Sequence, residues 1–370
     1  MKAQRLITAT ALAAAGALSL AACGSDNNKT ASPNTSGSPS ASSSVACATG
    51  TLHGAGSTFQ ANIVSQWSKD FQAACAGATV DYQAVGSGAG IAQFGADTID
   101  FGGSDSTMKP EEQTLADKRC GGAPAIHLPL TAGGLSLAYN LKGVTNLQLS
   151  PATVAGIFQG TIKSWDDAAI AADNPGVTLP KTAVQGDHRS DASGSTKIFS
   201  AWLDATSGGA WKLGVNKELA WPSGTQGFKG SDGVTQDVVA TEGAITYVEL
   251  SFAKANNLSY AKVKNGAGEY AELGSTTVSK ALESATLPAA GNDLKMKFDY
   301  TTKTAGVYPV TGFTYEIVCS TGNKAATLPL LKAFLTYAVT TGQASADSLG
   351  YGPLPTSVAT RVQAAITALA

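Results

Sequence analysis

Thr51-Leu52-His53-Gly54-Ala55-Gly56-Ser57-Thr58-Phe59 runs from a β-type stretch into a Gly/Ser turn, after which Phe59, Ile63, Trp67 and Phe71 recur at a spacing of four. That spacing puts the four apolar side chains on one face of a helix, so the segment reads strand, turn, helix. Outward from it the pattern repeats. Strand-like runs fall at 79–85, 99–101, 125–130, 135–139, 244–248 and 313–318, and helical patterns at 151–158, 195–203, 325–339 and 357–369. Alternation of this kind predicts an α/β fold with largely parallel sheets. No internal repeat of 20–50 residues accompanies it, which disfavours a solenoid or propeller.

The chain of 370 residues is longer than one compact domain usually is, and two domains are expected. Hydrophobic residues are 43 % and charged residues 14 %, against roughly 25 % charged in an ordinary soluble protein, so a packed core is expected and a disordered chain excluded. The 25 Lys and Arg against 27 Asp and Glu give a net charge of −2, with no basic run suited to a nucleic acid. Without Lys2 and Arg5 the 25 basic residues become 23 against 27 acidic, a net −4. Such a field does not attract an anion, so any anion site has to be built locally.

Residues 1–22 have a short basic head followed by an apolar stretch from Leu6 to Ala22, an export-signal pattern too short for a permanent span. It ends Leu20-Ala21-Ala22-Cys23-Gly24, which resembles the lipobox of bacterial lipoproteins, where the Cys is acylated and becomes the new N-terminus. Each buried CH₂ contributes about 0.8 kcal/mol, so a multiply acylated Cys23 would hold the protein on the cell membrane, facing outward. Residues 23–46 are nearly all Ser, Asn, Thr, Pro, Gly and Ala, a disordered tether with an r.m.s. reach of about 25 Å.

The remaining cysteines, Cys47, Cys75, Cys120 and Cys319, are an even set in an exported protein and read as two disulfides, for which spacing alone leaves three connectivities. If the first helix runs back antiparallel to its strand, Cys47 and Cys75 lie at the same end. That favours Cys47–Cys75 and, by elimination, Cys120–Cys319. No Cys-x-x-Cys pair exists and His53, His127 and His188 are scattered, so no metal site is expected.

Three turns share the design of the opening segment: Gly54 to Phe59, Gly86-Ser87-Gly88-Ala89-Gly90, and Arg189-Ser190-Asp191-Ala192-Ser193-Gly194-Ser195-Thr196. A helix N-terminus presents unpaired N–H groups and about half a positive charge, Gly lets backbone approach a ligand, and Ser or Thr adds a hydroxyl. Three such ends converging would cradle an anion; singly, each is also what plain helix capping looks like. Asp105 follows a short strand, where α/β sheets place ligand groups, although it could equally cap the segment from Pro110. Arg189 would bring a full positive charge, with Asp191 holding its guanidinium in a fixed fork, although local sequence alone is also that of a surface ion pair. His188 beside it reads as solvated. Neither Gly-x-Ser-x-Gly nor Gly-x-x-x-x-Gly-Lys-Ser/Thr is present, which speaks against hydrolase and nucleotide chemistry.

Together these residues resemble the substrate-binding lipoproteins of the phosphate-specific ABC importer, among the two-lobed periplasmic-type binding proteins. The resemblance runs from about Leu52 to Leu369. It includes Gly54 to Phe59, Tyr82 to Ser87, Asp100 to Asp105, Ile157 to Asp167, Arg189 to Thr196, and Gly243-Ala244-Ile245-Thr246-Tyr247-Val248-Glu249. It implies a type II periplasmic-binding-protein fold, each lobe a mixed, mostly parallel sheet flanked by helices, with two hinge crossings. Residues 47–131 and 306–370 would form lobe I and 132–305 lobe II. It also implies a monomeric, non-enzymatic receptor without cofactor, which binds inorganic phosphate in the cleft and delivers it to the permease and ATPase subunits of the importer.

Carried over by position, Thr58, Phe59, Ser87 and Asp105 look like the ligands from the first lobe, and Arg189, Ser193, Gly194 and Ser195 those from the second. Ser195 stands where close relatives often have Thr, Ala192 where they often have Gly, and Gln60 where Pro is frequent. Asp105 would accept the proton that phosphate keeps near neutral pH and sulfate lacks. The alternatives are a receptor for sulfate, molybdate or a phosphonate, and a secreted phosphate-ester hydrolase.

Overall fold

The computed structural model describes residues 46–370. The expected leader, Cys23 and the tether through residue 45 lie outside them. One path of hydrogen-bonded strands orders them as Ala78–Ala84, Gly50–Gly56, Phe101–Ser104, Thr311–Cys319, Ala125–Tyr139, Ala244–Glu249, Gln185–Arg189 and Gln226–Phe228. The first three are mutually parallel, as are the last three. Thr311–Cys319 runs antiparallel to both of its neighbours.

Ala125–Tyr139 is the hinge of this arrangement. Its residues from Ala125 to Gly134 pair with Thr311–Cys319, and those from Leu135 to Tyr139 pair with Ala244–Glu249. A single strand therefore passes from one sheet into the other, giving a two-lobed α/β fold. Sequence periodicity suggests two strands here, interrupted at Gly133-Gly134; the structure corrects this to one strand of 15 residues, all buried. The glycines are required by close packing. A Cβ on Gly133 would lie 2.7 Å from the Phe59 ring and one on Gly134 2.3 Å from Leu273. The chain returns to the first sheet through Val310, whose carbonyl accepts from Leu135 N–H at 2.8 Å. The chain already touches the first sheet earlier, where Leu294 N–H donates to the His127 carbonyl and Asp293 accepts from His127 N–H at 2.9 Å.

The helix expected after the first strand spans Ala61–Ala74 and buries Ile63, Val64, Trp67 and Phe71. Phe71 meets Phe334 and Tyr337 of the helix Leu328–Val339 at ring separations of 5.6 Å. Because that first helix returns to the start of its strand, Cys75 reaches Cys47, and the second disulfide joins Cys120 to Cys319. Among the elements that sequence reading did not give are the strand Gln226–Phe228 and the helices Gly230–Ala240 and Ser275–Glu283.

The Cys120–Cys319 bridge spans 199 residues and staples the end of the helix Pro110–Arg119 to the end of the strand Thr311–Cys319. Replacing both cysteines by Ser is expected to lower unfolding free energy by about 2–5 kcal/mol in denaturant titrations under oxidising conditions. An unchanged midpoint would show that the interleaved strands suffice without the staple.

Candidate functional site

Each predicted turn sits where a strand end delivers chain to a helix start. Gly50–Gly56 leads through Ser57, Thr58 and Phe59 to Ala61–Ala74; Ala78–Ala84 leads to the helix Ser87–Gly95; Gln185–Arg189 leads to the helix Gly194–Thr206. The fold brings these three ends together. Gly194 N–H donates to Ser87 Oγ at 3.2 Å, and Gly88 N–H donates to the Ala192 carbonyl at 2.8 Å. A Cβ on Gly194 would lie 2.6 Å from both Asp105 Oδ2 and Ser87 Oγ, so only glycine permits this approach.

Asp105 lies at the junction, 5 % exposed. It follows the strand Phe101–Ser104 and does not cap the next helix, whose N-cap is Lys109. Ser57 Oγ donates to Asp105 Oδ1, and Ser87 Oγ donates to Oδ2 at 3.2 Å. Burial pushes the carboxyl up to about 6, against the opposing pull of the Ser57 and Thr314 hydroxyls, the Arg189 charge and Ser87.

Arg189 is almost fully buried, and its Nε and Nη2 donate to the two oxygens of Asp191 at 2.7 and 2.5 Å. The Asp191 fork inferred from sequence is thus formed, and it leaves Nη1 and one Nη2 proton outside the pairing. Burial opposes ionisation of Asp191, but the Arg189 bond and charge hold its carboxyl below the usual range. Ser193 caps its helix by accepting from Thr196 N–H, and the buried Ser195 Oγ has no hydrogen-bond partner among the described residues. Phe59 N–H donates to Ser57 Oγ at 3.0 Å, and Thr58 Oγ1 lies 2.8 Å from Ser231 Oγ. His188 is not solvated; it is buried and stacked on Trp221 at 4.4 Å.

Several participants were missed in the sequence. Ser57 belongs to a turn already singled out, yet its role as the link between Phe59 N–H and Asp105 depends on geometry. Ser231 opens Gly230–Ala240, where the strand Gln226–Phe228 meets a Gly/Ser turn, so the same signal that marked the other three marks a fourth helix end. Gly230 N–H donates to Asp191 Oδ1 at 3.0 Å, which ties that end to the arginine fork. Tyr247 OH accepts from Arg189 N–H and lies 2.7 Å from Thr196 Oγ1.

Beneath Asp105, Gln60 replaces the proline expected from the resemblance with a connected polar layer. Its amide donates to Glu316 Oε1 at 2.7 Å and Tyr82 OH at 3.0 Å, and its carbonyl oxygen accepts from Thr314. Burial, opposed by the Gln60 bond and reinforced by Asp105, raises the Glu316 carboxyl well above its ordinary range. Among the described residues, no group of three His, Cys, Asp or Glu side chains gathers where a metal ion could sit.

A family model described as a PBP superfamily domain matches residues 41–341. Phosphate-binding protein PstS 3 of Mycobacterium tuberculosis is 40 % identical over 374 residues, covering 100 % of both chains. Phosphate-binding protein PstS 2 of the same organism is 38 % identical over 375 residues, again covering 100 % of both. Among solved structures, a high-affinity periplasmic phosphate-binding protein with bound phosphate aligns with a TM-score of 0.71 at 23 % identity, over 85 % of this chain and 93 % of that one. These matches cover both sheets and all four turns, and the chain belongs to the PstS phosphate-binding protein family within the PBP superfamily.

Proposed function

We propose that this protein is an extracytoplasmic receptor that captures inorganic phosphate between its lobes and hands it to an ABC importer. The observation that carries this reading is a buried carboxylate and a buried guanidinium brought together where four helix N-termini meet. The helix ends supply N–H donors and positive potential to an anion in a protein of net negative charge. In this reading Thr58, Ser87, Ser193 and Ser195 donate hydroxyls and Phe59 and Gly194 donate N–H groups, Ser87, Phe59 and Gly194 exchanging their protein partners for the anion. Arg189 donates from Nη1 and its free Nη2 proton while Asp191 orients it. Residues 47–131 and 306–370 act as one lobe and 132–305 as the other, and closure requires ligands from both.

Asp105 supplies the selectivity. Phosphate near neutral pH carries a proton that the carboxylate can accept, whereas sulfate carries none. Two unit charges about 3 Å apart at an effective dielectric near 20 repel by roughly 5 kcal/mol, close to four decades of affinity. Loss of a hydrogen bond to a charged group alone is worth about 1.5–3 kcal/mol, so repulsion dominates the discrimination. The protein performs no turnover and acts as a monomer held at the membrane by acylated Cys23. The importer's permease and ATPase subunits are its partners.

Three outcomes are expected. Calorimetry on ligand-stripped protein gives phosphate binding without a sulfate response, which Arg189→Ala weakens and Asp105→Asn converts into measurable sulfate binding. Wild-type affinity in Arg189→Ala would remove Arg189 from the site, and undiminished discrimination in Asp105→Asn would remove the carboxylate filter. A Cys23→Ser chain appears in the soluble fraction of cells, and retention with membranes would refute the lipid anchor. The third concerns pH. The folded pKa of Asp105 is about 6 against 3.8 for a free carboxyl, so its protonated form contributes stability that is full below about pH 4 and is lost as pH rises through about 6. Urea unfolding of ligand-free Asp105→Asn at pH 8 should therefore show a gain of at most about 3 kcal/mol over wild type, closing toward pH 4. Equal stability at pH 8 would show that the ionised carboxylate is already compensated.

A further inference from the structure

Outside the anion site, the helix Pro110–Arg119 on the first sheet and the chain following Gly194–Thr206 on the second are joined by an ion pair. Lys217 Nζ donates to Glu112 Oε1 at 2.5 Å, with the lysine side chain 5 % and the glutamate side chain 22 % exposed. Both ends are tied to backbone that shapes the site. Glu112 Oε2 accepts from Lys109 N–H at 2.8 Å, fixing the helix start four residues beyond Asp105. The Lys217 carbonyl accepts from Ser193 N–H at 3.0 Å, so the residue that reaches across the cleft also holds the cap of the Gly194 helix.

We propose that Glu112 and Lys217 form a latch whose making and breaking sets the rate at which bound phosphate is released, without either side chain touching the ligand. The proposal rests on the receptor reading above. An ion pair between two bodies exists only while they are together, so its free energy is added to the closed form alone. Its partial burial shields it from salt more than a surface pair. Removing one partner of such a pair strands the other in a desolvated position, and the effect falls mainly on dissociation. Lys109 and Lys197 face the same region: the charges of Lys109 and Lys217 add to burial in lowering the Lys197 ammonium. Glu112 thus pairs with one of three lysines whose charges act on one another here, and its loss leaves Lys217 without that partner. These positioning residues act on closure, by joining the two bodies, rather than on the anion.

The test uses the full chain and inorganic phosphate. Stopped-flow release into a phosphate trap should be at least about tenfold faster in both Glu112→Gln and Lys217→Met, with association changed by less than about threefold. The double variant should release no faster than the faster single one, because the two residues act as one unit. Lys142→Met, which breaks the exposed Lys142–Glu242 pair, should release at the wild-type rate. Wild-type release from both latch variants, or variants that lose only ligand-free unfolding stability, would overturn the latch while leaving the receptor reading intact. Wild-type protein that binds no phosphate would overturn the receptor reading and the latch with it.

Discussion

A carboxylate packed against the backbone of a facing helix is the constraint on which the site depends. Asp105 is nearly excluded from solvent, and its Cβ would lie 2.7 Å from a side chain placed on Gly194. An isolated buried charge of this kind is unfavourable by several kcal/mol. The surrounding architecture offsets that cost with two serine hydroxyls, the Arg189 charge and the open N-termini of helices that converge from both sheets. The same groups that make the carboxylate tolerable are those an oxyanion with a proton can use. Protein stability and ligand choice therefore draw on one set of interactions.

Glu316 adds a second carboxyl whose charged form burial and the Asp105 charge disfavour, and the two settle differently. Asp105 is surrounded by donors, whereas Glu316 is buried with one oxygen unpartnered among the described residues and is driven toward its neutral form. Gln60 lies between them in the network, donating to Glu316 and accepting from Thr314. A proline at that position would have no side-chain amide for these contacts. The departure from the proline that the resemblance implies thus coincides with a polar layer that gives Glu316 its partner.

Features encoded within a dozen residues were legible in the sequence. The Phe59-Ile63-Trp67-Phe71 face gave the first helix, the three Gly/Ser turns marked helix ends that do meet, and the antiparallel return of that helix anticipated the Cys47–Cys75 pair. What stayed hidden depends on partners far away in the chain. Gly133-Gly134 reads as a break because local propensity penalises glycine in a strand, yet packing against Phe59 and Leu273 demands it. Gly230-Ser231 carried the same turn signal as the others but lacked a recognised strand before it. His188 reads as polar surface until Trp221 is seen to cover it. Glu316 gives no sign in its own strand that Gln60, 256 residues away, will be its partner.

The position of Thr311–Cys319 has a consequence for assembly. This strand lies between Phe101–Ser104 and Ala125–Tyr139, so the first sheet has a gap at its centre until residue 319 has been made. The second sheet needs nothing beyond Tyr260 to complete its pairing with Ala125–Tyr139. Synthesis and folding thus run in opposite orders: the half whose strands emerge first is the half that must wait. Closing a gap across some two hundred residues is slow, and until it closes two strand edges stand unpaired and open to other chains. A chain that folds after export, where a chaperone can hold those edges and the Cys120–Cys319 bond can form late, meets this demand better than one that folds as it leaves the ribosome.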